Sequence, residues 1–197
     1  RAIKKYFRDY GLSLSHIKNI LITHDHADHV KSVGSISGDL QLPVYTTEYI
    51  HRGISQNWCV RRKIDKALAM CLAKGEEIKI GEFAVTPFGV PHDSTDCVGY
   101  SIVQGGIRFT LVTDCGHITE EIAHYISISN YLVIEANHEP EKLEAGPYPR
   151  HLKVRISGPN GHLSNEACAE VLVENASPGL HHVWLCHLSD ENNHPEL

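Results

Sequence analysis

Apolar and polar positions alternate along this chain in short blocks that read as strands and helices of ordinary length. Residues 2–10 have helical spacing, closed by Gly11. Residues 19–23, Asn-Ile-Leu-Ile-Thr, read as a short buried strand, and residues 30–36 as the start of a helix. Val44-Tyr45 is a short strand, and residues 47–74 read as helical, with Arg61, Arg62 and Lys63 on an exposed face. Two hairpins follow, residues 77–80 with 83–86 around Gly81, and 98–103 with 107–113 around Gly105-Gly106. Residues 118–127 suit a helix and Tyr131–Glu135 a strand, while residues 139–161 read as an irregular loop with basic patches. Ser164 is a good N-cap for a helix reaching about residue 175, and residues 182–186 form the last strand. Hairpins set between βα units point to an α/β fold of sheets covered by helices, not one doubly wound parallel sheet.

Composition narrows this without changing it. A chain of 197 residues fits a single domain, residues 1–197. With 42% hydrophobic and 21% charged residues it is globular rather than disordered. Its apolar runs fall far short of the roughly 18 residues that span a bilayer, so no membrane partner is expected. Pro178-Gly179 marks a turn, not a linker. A net charge of −6 excludes a generic polyanion binder. Six cysteines without a C-x-x-C pair suggest reduced thiols and a cytoplasmic setting. Residues 1–5 read as a basic helix start, not as a signal peptide.

The unusual residue is histidine, present fifteen times. His24-Asp25-His26-Ala27-Asp28-His29 directly follows the first buried strand. In extended backbone, side chains two apart share a side, so His24 and His26 can grip one cation. Asp28 and His29 come as the chain turns into a helix and can face a neighbouring position. His92, Asp114 and His187 each stand where a strand gives way to a loop. Imidazole and carboxylate donors together suit zinc, manganese or iron.

These residues resemble the successive metal motifs of metallo-β-lactamase-fold hydrolases. Glu135-Ala136-Asn137-His138-Glu139, Gly146-Pro147-Tyr148-Pro149, Gly161-His162-Leu163-Ser164-Asn165 and His187-Leu188-Ser189 narrow the resemblance to the YycJ/WalJ-like branch. That branch is similar to the nucleases ribonuclease Z and ribonuclease J. The resemblance implies an αββα four-layer sandwich, two divalent metal ions and 5′-to-3′ exonuclease action on DNA. The first hairpin and strand of that pattern, and its last strand and helix, have no counterpart in residues 1–197, so the fold is expected truncated at both ends.

By the same resemblance, His24, His26 and His92 hold one ion, Asp28, His29 and His187 the other, and Asp114 bridges them. A hydroxide between the two ions would then be the nucleophile, with Asp28 as the acceptor of its proton. His162 is the candidate to meet the scissile phosphate and to protonate the leaving oxygen, since it directly precedes a helix start that favours anions. Glu135 and His138 are candidates to orient the ligands. Arg150, Lys153 and Arg155 are candidate phosphate contacts. Arg61, Arg62, Lys63 and Lys66 read as a solvated face, Trp58 and Tyr148 as packed aromatics, and Cys115 and Cys186 as small buried residues. The competing expectation is a metal-dependent hydrolase of a small thioester, lactone or lactam, which the acidic net charge favours.

Overall fold

The computed structural model describes residues 2–194 and 196, without the side chains of Ala2 and Lys4. The chain divides into two compact units, the first ending at Leu72 and the second starting at Ala73.

In the first unit α1 (Ala2–Asp9) precedes a parallel sheet of β1 (Ile20–Leu21), β2 (Val44–Thr47) and β3 (Ala69–Leu72), in that order. Ile20 pairs with Val44, and Val44 with Ala69. Parallel strands need crossovers. Here α2 (Ala27–Val30) and α3 (Val33–Leu40) carry the chain from β1 to β2, and α4 (Glu48–Gln56) leads from β2 towards β3. Thr47 caps α4 by accepting the Ile50 N–H. Val30, Val44, Ile50 and Ile54 form the buried centre.

Residues 47–74 are therefore not one helix. The helix stops at Gln56 because Asn57 competes with the backbone: its Nδ2 donates to the Asp25 carbonyl at 2.8 Å and its Oδ1 accepts the Cys59 N–H at 2.9 Å. The basic run beyond it is tied down. Arg62 pairs with Asp39 at 2.6 Å, and Lys63 donates to the Asn57 carbonyl. Trp58, expected to be packed, is 87% exposed.

The second unit is built on six strands, β4 (Ile78–Ile80), β5 (Phe83–Gly89), β6 (Val98–Gln104), β7 (Ile107–Val112), β8 (Tyr131–Glu135) and β9 (His182–Cys186), ordered as they occur. Both expected hairpins form. β4 to β7 pair antiparallel, and β7, β8 and β9 pair parallel. The crossovers are α5 (Glu120–Ser127) and then α6 (Pro140–Ala145), α7 (Arg150–Ile156) and α8 (Asn165–Asn175). Phe88, Val112, Ile122, Ile126, Leu132, Ile134 and Leu163 pack as one core.

Residues 139–161 hold two short helices where a loop was expected. Pro140 and Pro149 mark helix starts rather than breaks, because a first-turn residue has no intrahelical use for its N–H. This topology builds a site. β5 runs antiparallel to β6 and β6 antiparallel to β7, so β5 points the same way as β7, β8 and β9. The C-terminal ends of four strands thus share one edge of the sheet, and His92, Asp114, Glu135 and His187 stand there.

Candidate metal centre

In the first unit the strand-to-helix turn brings three imidazoles together. His24 is completely buried after β1, and Thr23 Oγ1 lies 3.1 Å from its Nδ1. His26 occupies the N-cap position of α2, and Asp28 and His29 fall in its first turn. The His24 ring centre is 4.8 Å from that of His26 and 4.1 Å from that of His29. His29 Nε2 is 3.6 Å from Asp28 Oδ2, whose side chain is 71% exposed.

In the second unit Asp114 is central. Its Oδ1 lies 3.5 Å from His187 Nε2 and 3.8 Å from His92 Nε2. Donor atoms gripping one ion tetrahedrally at about 2.1 Å stand roughly 3.4 Å apart, so Asp114 is spaced from each of these two imidazoles much as two donors to one divalent cation would be. His92 donates from Nδ1 to the Gly161 carbonyl at 3.0 Å, which leaves Nε2 for Asp114. That approach requires glycine, because a Cβ at position 161 would lie 2.2 Å from the Arg155 and Ile156 carbonyl oxygens. Asp114 and His187 have φ of 54° and 55°. Left-handed backbone is costly for any residue but glycine and gathers at functional sites.

Glu135 ends β8 with no exposure to solvent. Its Oε1 accepts Nδ1–H from His187 at 2.6 Å and from His162 at 2.8 Å. Its Oε2 accepts the backbone N–H of Cys115 and Leu163. A carboxylate only accepts, so both rings are fixed with Nδ1 protonated and Nε2 turned away. Burial alone would raise the Glu135 pKa, but the hydrogen bonds from His162 and His187 outweigh it and hold the carboxyl at about 2. The donor atoms of Asp114, Glu135, His162 and His187 lie within 4.8 Å of one another. With its oxygens engaged by four N–H groups, Glu135 is an orienting group in this set.

The other expected residues fall out differently. His138 lines a cleft next to His162; burial foremost lowers its pKa, with the charge of Glu135 acting the other way. Arg150 pairs with Glu144, Lys153 donates to the Glu144 carbonyl, and Arg155 grips both oxygens of Asp93. Burial pushes the Cys115 thiol up to about 12 and Cys186 to about 11, which keeps both as neutral packing groups. Sequence reasoning missed Asn137, which donates to the His187 carbonyl at 2.8 Å, and Asn193, which donates to the Ala136 and Asn137 carbonyls. Both are ordinary polar residues whose task depends wholly on tertiary position.

The family model described as the β-lactamase superfamily domain matches residues 6–184, and the chain belongs to that family. The chain adopts the metallo-β-lactamase fold and, with this donor set, is a metal-dependent hydrolase that binds divalent metal. Among curated relatives it is 30% identical over 197 residues to exodeoxyribonuclease YycJ of Bacillus anthracis, covering all of this chain and 74% of that one. It is 33% identical over 178 residues to exodeoxyribonuclease WalJ of Streptococcus pneumoniae, covering 90% of this chain and 66% of the relative. The solved metallo-β-lactamase fold protein YhfI of Bacillus subtilis superposes with a TM-score of 0.68 at 16% identity, over 98% of this chain and 72% of that one. Among the described residues no helix is long and apolar enough to cross a membrane.

Proposed function

We propose that this protein is a metal-dependent phosphodiesterase acting on nucleic acid, a 5′-to-3′ exonuclease on DNA. The observation that carries this reading is the shared anchoring of His162 and His187 on Glu135, beside Asp114. It sets a metal-type imidazole next to one free to meet a phosphate. The names of the curated relatives support the substrate class.

In this reading His24, His26 and His92 would hold one divalent ion and Asp28, His29 and His187 a second, zinc or manganese with iron possible, and Asp114 would serve both. Bound there, the ions would lower the pKa of water and neutralise phosphate charge. The chain does the rest. Asp28, exposed at the start of α2, accepts the proton of the attacking water. His162, carrying a proton on each ring nitrogen, presents Nε2–H to the phosphate and gives that proton to the leaving oxygen, ending as the neutral ring with Nδ1–H still on Glu135. Glu135 accepts the Nδ1–H of both rings, so Nε2 is the atom that His162 and His187 each offer to the site. His138 has no orienting role in this scheme. All six cysteines are free, which suits the cytoplasm. Residues 1–197 would act as one domain.

End-labelled duplex DNA with manganese is the test. Release of mononucleotides from the 5′ end is the expected result, and intact DNA under all divalent ions would refute the reading. One observation favours a small thioester or lactone substrate instead. The basic side chains of α7 are engaged with Glu144 and Asp93 rather than held open for a phosphate backbone. Thioester turnover without DNA cleavage would select that alternative.

A further inference from the structure

Beside His162 the second unit opens a cleft of about 640 Å³. One face of α8 forms a wall, because Ala167, Glu170, Val171 and Glu174 recur at helical spacing and all line it. Ile118, Ala123 and Leu163 add apolar surface. Gly116 and His117 form another side. A Cβ at Gly116 would lie 2.3 Å from the Pro159 carbonyl oxygen, and His117 Nδ1 donates to that same oxygen at 2.7 Å, so this wall is built rather than loose. His138 lines the cleft at 3% exposure, and its buried Nδ1 has no hydrogen-bond partner among the described residues. Such orphans are rare in folded proteins and point to a group yet to be bound.

The lining is polarised. Imidazoles gather where α8 begins, and carboxylates follow along it. Glu170 is about 9 Å down the helix axis from Ser164 at 1.5 Å per residue. Glu120, Glu170 and Glu174 repel a phosphate, so the phosphate of any nucleotide belongs at the His162 end. Apolar walls suit the face of a base. Carboxylates only accept hydrogen bonds, so they favour a base edge that donates. Guanine offers imino and amino hydrogens, whereas thymine offers mainly carbonyl oxygens.

We propose that this cleft receives the base of the terminal nucleotide whose phosphate meets His162, and that its carboxylates prefer guanine over thymine. The proposal rests on the nuclease reading above, and its test separates the two. dGMP and TMP are titrated into the full chain, followed by backbone amide shifts. dGMP should bind about tenfold tighter, the worth of one hydrogen bond to a charged acceptor, with shifts at Gly116, Leu163 and Ala167. The exposed double substitution Glu170→Gln/Glu174→Gln should abolish the difference, since an amide can also donate to thymine. Ala167→Phe, which fills the cleft, should weaken both nucleotides. Equal affinities in the unaltered protein, or a preference that survives Glu170→Gln/Glu174→Gln, would overturn the proposal. Metal-dependent hydrolysis of bis(p-nitrophenyl) phosphate, a diester without a base, tests the nuclease reading by itself. Hydrolysis without base preference removes the cleft proposal alone. Base preference without hydrolysis of any diester removes the nuclease reading and leaves a nucleotide-binding cleft.

Discussion

Two groups of metal-type side chains in this protein are built in opposite ways. His24, His26, Asp28 and His29 come from one stretch of six residues, and their grouping needs little more than a strand turning into α2. His92, Asp114 and His187 come from positions nearly a hundred residues apart, and their grouping needs four strands pointing the same way. The first group has an exposed carboxylate, whereas the second is wired into the core through Glu135. Local chemistry makes the first group, and topology makes the second. The second should therefore couple metal binding to fold stability, and the first should not.

The largest effect is expected at the centre of the second group. Asp114→Ala should lower hydrolysis by about a thousandfold or more, the scale of losing a principal charge-stabilising group, and metal per chain should fall by elemental analysis. Retention of full activity would remove Asp114 from the site. Next comes His162→Ala, which should cost on the order of a hundredfold in kcat, as for loss of a general acid, while metal content stays. Loss of metal with activity would instead make His162 a ligand.

A third pair of substitutions tests the comparison directly. Glu135→Gln and His29→Ala should each weaken metal binding by roughly ten- to a hundredfold. Only Glu135→Gln should also destabilise the metal-free chain, by about 2–3 kcal/mol in denaturant unfolding, because buried donors lose a charged acceptor. His29→Ala should stay within about 1 kcal/mol. Equal destabilisation by both would break the distinction between the groups.

The same contrast explains what could be read from sequence. The 24–29 cluster is legible because residue type, spacing and the preceding apolar strand coincide in one window. The strand ends bearing His92, Asp114 and His187 are legible as positions, and the family resemblance supplies their association. Ser164 as N-cap and Tyr131–Glu135 as a strand depend on local rules and fall where those rules put them. The long helix through residues 47–74 fails because one side-chain amide, Asn57, spends its hydrogen bonds on the Asp25 carbonyl, a partner 32 residues away. The loop at 139–161 fails because proline reads equally as a breaker and as a helix start. That Glu135 serves two imidazoles with one oxygen leaves no trace in spacing, since its partners are 27 and 52 residues away.

The smallest expected effect is at Arg155. Its paired grip on Asp93 is half-exposed, with side chains 54% and 30% accessible. Such surface pairs contribute about 0–1 kcal/mol, so Arg155→Ala should barely move the unfolding midpoint. Asp93 adjoins His92, and Arg155 lies on the helix whose C-terminal carbonyls pack on Gly161, so the pair links two walls of the second group. If its task is only to steady the His92 loop, Arg155→Ala should weaken metal binding slightly and leave the KM for a DNA end unchanged. If Arg155 also meets the backbone of DNA, KM should rise by a few fold, and the salt dependence of binding should lose the share of about one phosphate contact. The engagement of its Nε and Nη2 by Asp93 favours the first outcome, which would mark the second group as braced from its surface as well as from its core.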